Sequence, residues 1–109
     1  MDLTQKKCVA CEGNTPPLTR NEADALLAQA PGWTLTPDGK KISREFIFPD
    51  FKSALAFVDR VGAAAEAEGH HPDVFLAYGM VRIELWTHAV NGLSENDFIL
   101  AAKINALIH

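Results

Sequence analysis

The spacing of apolar and polar positions changes period four times along this chain and, with two hairpin turns, divides it into seven segments. Leu18-Thr19-Arg20-Asn21-Glu22 has the form of a capping box, with Thr19 as N-cap and Glu22 reaching back to it. The spacing predicts a helix over about residues 20–29 that uses Ala25, Leu26 and Leu27 and stops before Pro31-Gly32. Trp33-Thr34-Leu35 then reads as a short strand and Pro37-Asp38-Gly39 as a turn. Residues 41–48 place Ile42, Phe46 and Phe48 on one face by alternation, with Arg44 as the polar break, and complete a first hairpin.

Asp50 is a good N-cap for a long helix in which Phe51, Ala54, Leu55, Val58, Val61, Gly62 and Ala65 recur at three- and four-residue steps. The small residues from Gly62 to Ala65 would let that helix approach a sheet closely. Gly69 is the expected left-handed terminator. Val74 to Tyr78 and Val81 to Thr87 read as two strands joined tightly around Gly79-Met80. In the second, Val81, Ile83, Leu85 and Thr87 face one way and Arg82, Glu84, Trp86 and His88 the other. Ser94 and Asp97 form another capping-box pattern, opening a last helix over about 95–108 that buries Leu100, Ala101, Ile104, Leu107 and Ile108.

The order is α-β-β-α-β-β-α. Strands joined by tight turns are antiparallel, so the expected fold is a two-layer α+β domain, a four-stranded antiparallel sheet with helices packed on one face. Trp86 would be exposed on the opposite face, and a partner subunit is one way to cover it. Residues 1–17 carry no periodicity and read as an N-terminal arm, leaving 18–109 as a single domain. Within the arm, Cys8-Val9-Ala10-Cys11 supplies half of a structural zinc site at most, and no strand precedes it as a redox motif requires. Two reduced thiols in a loose tail is the simpler reading.

Composition narrows the function. With 109 residues and a net charge of −4, the chain is one domain without the basic excess of a nucleic-acid surface. No stretch approaches the roughly 20 apolar residues of a membrane span, and no secretory signal opens the chain. A cytoplasmic location is expected.

The chemistry concentrates in His70-His71-Pro72 at a helix exit and Thr87-His88 at a strand end, which hold three of the four histidines. Three readings are open. A catalytic metal could take three histidines, but adjacent imidazoles tend to point apart, and neither HxH nor HExxH occurs. Each histidine could instead be a capping or surface residue. The third reading is acid–base catalysis, for which imidazole titrates in the right range. Glu66 and Asp97 are candidates to orient the rings, though Asp97 also suits a simple helix cap and Glu66 a solvated helix surface.

Glu66-Ala-Glu-Gly-His70-His71-Pro72, Tyr78, Thr87-His88 and Gly92-Leu-Ser-Glu-Asn-Asp97, with Leu100-Ala101, closely resemble the pterin-4a-carbinolamine dehydratase family in its bacterial form. The resemblance runs from about Trp33 to Ala102 and is free of gaps across 66–101. It implies that His70, His71 and His88 form a pterin site, with Glu66, Pro72, Tyr78, Thr87 and Asp97 binding or orienting. It also implies dehydration of a 4a-hydroxytetrahydropterin to quinonoid dihydropterin without metal or organic cofactor, recycling the tetrahydrobiopterin of aromatic amino acid hydroxylases. Homodimers or homotetramers are implied as well, as is an alternative role: a non-catalytic dimerisation partner of a regulatory protein, as a member is for a homeodomain transcription factor in animals. One departure is Val74, where many members carry an aromatic residue. The stacking wall for the pterin is then either lost or supplied instead by Phe75, Tyr78 or Trp86.

Overall fold

The computed structural model describes residues 3–9 and 16–108. Its elements are α1 (Arg20–Leu27), β1 (Thr34–Leu35), β2 (Ile42–Ile47), α2 (Phe51–Glu68), β3 (Asp73–Ala77), β4 (Met80–Leu85) and α3 (Glu95–Asn105), with short 3-10 turns at Leu3–Gln5 and His88–Val90. The sheet is antiparallel throughout, in the order β1-β2-β4-β3. This is the expected α+β architecture.

Register explains which face is buried. Ile42 lies opposite Leu85 and Phe46 opposite Val81, so the apolar residues of the two central strands share one face. They are buried there with Ile83 under the helices. Arg44 sits on the same face opposite Ile83, and its charge is not stranded. Its guanidinium lies 4.6 Å from the Phe46 ring and donates to Asn105 Oδ1 at 2.7 Å and to the Pro31 carbonyl at 2.9 Å. The outward face carries Glu45, Ile47, Phe75, Arg82 and Glu84, and Ile47 and Phe75 are exposed. Trp86 is half-covered from within its own chain, since Lys41 stands over its ring and its indole N–H donates to Asp73 at 3.2 Å.

Several expected core positions are corrected. In α1 the buried residue is Ala23, while Ala25 is exposed and Leu26 and Leu27 are half-buried. In α2 the three- and four-residue steps admit two stripes. The helix turns the stripe of Ala54, Phe57, Val61 and Ala65 to the sheet and leaves Phe51 and Leu55 exposed. Phe57 decides the roll, because its ring packs 4.8 Å from Phe46 and 5.1 Å from Phe48. Gly62 makes no close approach, since a Cβ there would meet nothing within 4 Å; Ala54 and Ala65 are the small residues against the core.

The helix termini follow their local chemistry. Thr19 and Glu22 form the capping box of α1, and Ser94 and Asp97 that of α3. Gly69 ends α2 at φ 64°, which lets the His70 N–H reach back to the Ala65 carbonyl at 3.2 Å. The segment read as a loose tail is packed where it is described. Leu3 is almost fully buried in the core, and residues 3–9 run along α3. Cys11 lies outside the described residues. Among the described residues no helix is long and apolar enough to cross a membrane.

Candidate active site

The β3–β4 hairpin brings the chemistry to one end of the sheet. His70 and His71 leave α2 just before β3 begins, and Trp86, Thr87 and His88 follow the end of β4. Because β3 and β4 are an antiparallel pair, with Asp73 opposite Glu84, these two exits are neighbours. Thr87 also pairs with Gly92, which folds the chain toward α3. A cavity of about 540 Å³ lies here, lined by His70, His71, Trp86, Thr87 and His88 together with Cys8, Val9, Glu68, Gly69, Ala89 and Asn96. That volume suits a small organic ligand.

Asp97 lies under this cavity with no solvent exposure. A buried carboxylate needs donors to replace water, and Asp97 has three. The His70 Nε2–H donates to Oδ1 at 2.7 Å, while the Thr87 hydroxyl donates to Oδ2 at 2.8 Å and the Ser94 N–H at 3.0 Å. Since the Thr87 proton is spent on Asp97, the Ser94 hydroxyl is the donor in the 2.7 Å Thr87–Ser94 contact. With its Nε2 proton committed to Asp97, neutral His70 carries its lone pair on Nδ1.

The other two histidines sit in different settings. His71 Nε2 is hydrogen-bonded to Glu66, and both side chains are largely in solvent at the cavity rim. His88 is exposed, and its ring centroid lies 3.8 Å from that of Trp86 at 36°. The structure therefore gathers His70, His71, Thr87 and His88 around one cavity, with Asp97 beneath His70 and Glu66 beside His71. Pro72 is half-buried next to His71 but is not among the lining residues.

Tyr78 is not brought to the site. It stands 76% exposed in the β3–β4 turn, at the far end of a strand about 17 Å long. Phe75 faces outward beneath the Arg82 guanidinium at 4.8 Å. Of the aromatic residues weighed against Val74, only Trp86 lines the cavity.

The chain's own N-terminal segment contributes lining that its sequence does not advertise. The Cys8 N–H donates to Glu68 at 2.8 Å, and Lys103 holds the other Glu68 oxygen at 3.0 Å. These bonds, that of Cys8 first, keep the Glu68 carboxyl below its ordinary range. Burial, reinforced by the nearby Glu68 charge, pushes the Cys8 thiol up to about 12. Asn96 pairs with Val9 in both directions, accepting its N–H and donating to its carbonyl. Among the described residues no three His, Cys, Asp or Glu side chains are grouped to hold a metal ion.

A small α+β fold with a histidine-lined cavity at the exits of paired strands defines a class of small-molecule site. The sequence profile described as pterin 4 alpha carbinolamine dehydratase matches residues 16–107, so the chain belongs to that family. A relative from Halorhodospira halophila, provisionally named a pterin-4-alpha-carbinolamine dehydratase, is 50% identical over 98% of each chain. Another from Methylococcus capsulatus, with the same provisional name, is 50% identical over 96% of this chain and 92% of its own. Among solved structures, a transcriptional coactivator/pterin dehydratase from Brucella melitensis superposes with a TM-score of 0.81 at 36% identity, covering 85% of this chain and 99% of that one. A pterin dehydratase-like protein identified as a RuBisCO assembly factor in the alpha-carboxysome gives a TM-score of 0.61 at 25% identity, covering 70% of this chain and 88% of that one.

Proposed function

We propose that this protein is a pterin-4a-carbinolamine dehydratase, which converts a 4a-hydroxytetrahydropterin to quinonoid dihydropterin and water. The observation that carries the reading is the His70–Asp97 pair at the floor of a cavity that also takes in His71 and His88.

Dehydration breaks the C4a–O bond and removes a ring N–H proton, whose electron pair forms the new C=N bond. The departing hydroxyl leaves as water once it receives a proton. One imidazolium and one neutral imidazole meet both needs, and the two protons balance over the cycle. His70 and His88 take these two roles. Asp97 fixes the orientation and tautomer of His70, leaving Nδ1 as its reactive nitrogen, and Thr87 holds Asp97. His71, paired with Glu66 at the rim, positions the pterin. The Trp86 ring gives the bicyclic substrate an apolar wall in place of the aromatic residue absent at Val74.

Recycling the cofactor of an aromatic amino acid hydroxylase is the pathway this reaction serves. Self-association is part of the same reading, supported by the outer edge of β3, which pairs with no strand among the described residues, and by exposed Val74, Phe75, Phe51 and Leu55.

The test is dehydration of a 4a-hydroxytetrahydropterin by the purified protein, followed by absorbance against the uncatalysed rate. Acceleration that depends on His70 and His88 supports the reading. A rate equal to background would remove it. The second reading is a binding role without turnover, favoured by the coactivator and assembly-factor descriptions of the two structural relatives. Co-purification with a protein partner in the absence of turnover is its signature.

A further inference from the structure

The cavity is walled by the histidine-bearing exits of the β3–β4 hairpin with the adjoining ends of α2 and α3, and also by the segment at Cys8 and Val9. That segment lies some 60 residues from Glu68 and 87 from Asn96 in sequence, yet it is fastened to both. The bonds at Val9 are those of one rung of a β ladder, with a side-chain amide standing in for a strand. Asn96 is itself buried, and it occupies the turn of α3 that also holds Asp97. Two further fastenings lie away from the lining: Leu3 is sunk in the core, and Lys6 pairs with Glu95 at 3.1 Å. A carboxamide spent on both polar groups of one backbone residue has the chemistry of a clasp.

From this placement we infer that Cys8 and Val9, at the end of the packed segment 3–9, form a substrate-binding wall of the pterin site, and that Asn96 is the positioning residue that holds the wall closed. The inference rests on the dehydratase reading for the identity of the ligand. It assigns the arm to binding and leaves the proton transfers to the histidines. Loosening the clasp therefore acts on KM and spares kcat.

Cys8 provides a readout that does not depend on turnover. Cys8 lines the cavity with its thiol beside Glu68 and 3.5 Å from the Asn96 carbonyl, and a held arm keeps that thiol poorly ionised and slow to alkylate. In a Cys11→Ser background, Cys8 is the sole thiol. Two variants test the clasp: Asn96→Ala, which removes both bonds to Val9, and Leu3→Ala, which loosens the arm without altering a lining residue. Each should raise the rate of Cys8 alkylation by iodoacetamide about tenfold. Each should also raise KM for a 4a-hydroxytetrahydropterin about tenfold, with kcat within about twofold. In the parent, a saturating non-reactive pterin should slow alkylation.

Faster alkylation with unchanged KM would overturn the binding role of the arm, and unchanged alkylation in both variants would overturn the clasp. A parent that turns over the hydroxypterin but gains no protection from the pterin also counts against the wall. A parent that neither turns over nor binds a pterin would instead remove the dehydratase reading, and the substrate role of the arm with it.

Discussion

His70 and Asp97 lie 27 residues apart in sequence, yet the imidazole Nε2 stands 2.7 Å from a carboxylate that has no contact with solvent. The same carboxylate closes the capping box of α3. One group thus serves the start of a helix and the orientation of a ring.

Replacing either ring proposed for proton transfer should be costly. His70→Ala and His88→Ala are each expected to lower kcat by about 100-fold or more, the scale of one general acid or base. His71→Ala should act mainly on KM. Steady-state kinetics of the three variants against a 4a-hydroxytetrahydropterin checks the division, and near-normal kcat in both His70→Ala and His88→Ala would end it.

Thr87→Val removes a donor from Asp97 while keeping the shape of the side chain. A hydrogen bond to a charged group is worth about 1.5–3 kcal/mol, and this one is buried. For a domain of this size the melting temperature should fall by roughly 5–15 °C. Calorimetry of the variant is the measurement, and a melting temperature unchanged from the parent would contradict the assignment of the bond.

Acid should weaken the clamp at the base of the arm. Glu68 has a folded pKa below its ordinary 4.5, chiefly through the Cys8 N–H. A depressed carboxylate stabilises the fold above its unfolded pKa and loses that contribution as pH falls through the folded value. Denaturant midpoints should therefore decline below about pH 4.5, and less steeply in Glu68→Gln. Parallel curves for the two proteins would show that Glu68 is not the group responsible.

Trp86→Leu should keep the fold and weaken the site. It removes the ring on which His88 rests and the cavity's aromatic wall. KM is expected to rise by about tenfold, with a smaller loss in kcat as His88 gains freedom. A kinetic profile identical to the parent would mean that neither contact matters to the substrate.

Much of the fold was legible because it rests on local periodicity. Alternation at Ile42, Phe46 and at Val81, Ile83, Leu85 marks the buried sheet face, and the Thr19–Glu22 and Ser94–Asp97 spacings mark two helix starts. The roll of α2 was not legible, because two apolar stripes coexist on it and only the pocket between Phe46 and Phe48 selects Phe57. The position of Tyr78 was missed for a related reason: a residue in a hairpin turn points away from the chemistry at the hairpin's open end. That Cys8, Val9 and Asn96 line the cavity was not legible, because backbone groups of the first two carry the contact. The pairing of an N–H with a distant side chain leaves no period to read.

The double duty of Asp97 has a practical consequence. Any event that unwinds the first turn of α3 also lets the imidazole of His70 swing free, so turnover would fail before the core melts. An assay of product formation during heating would therefore act as a thermometer for a single helical turn.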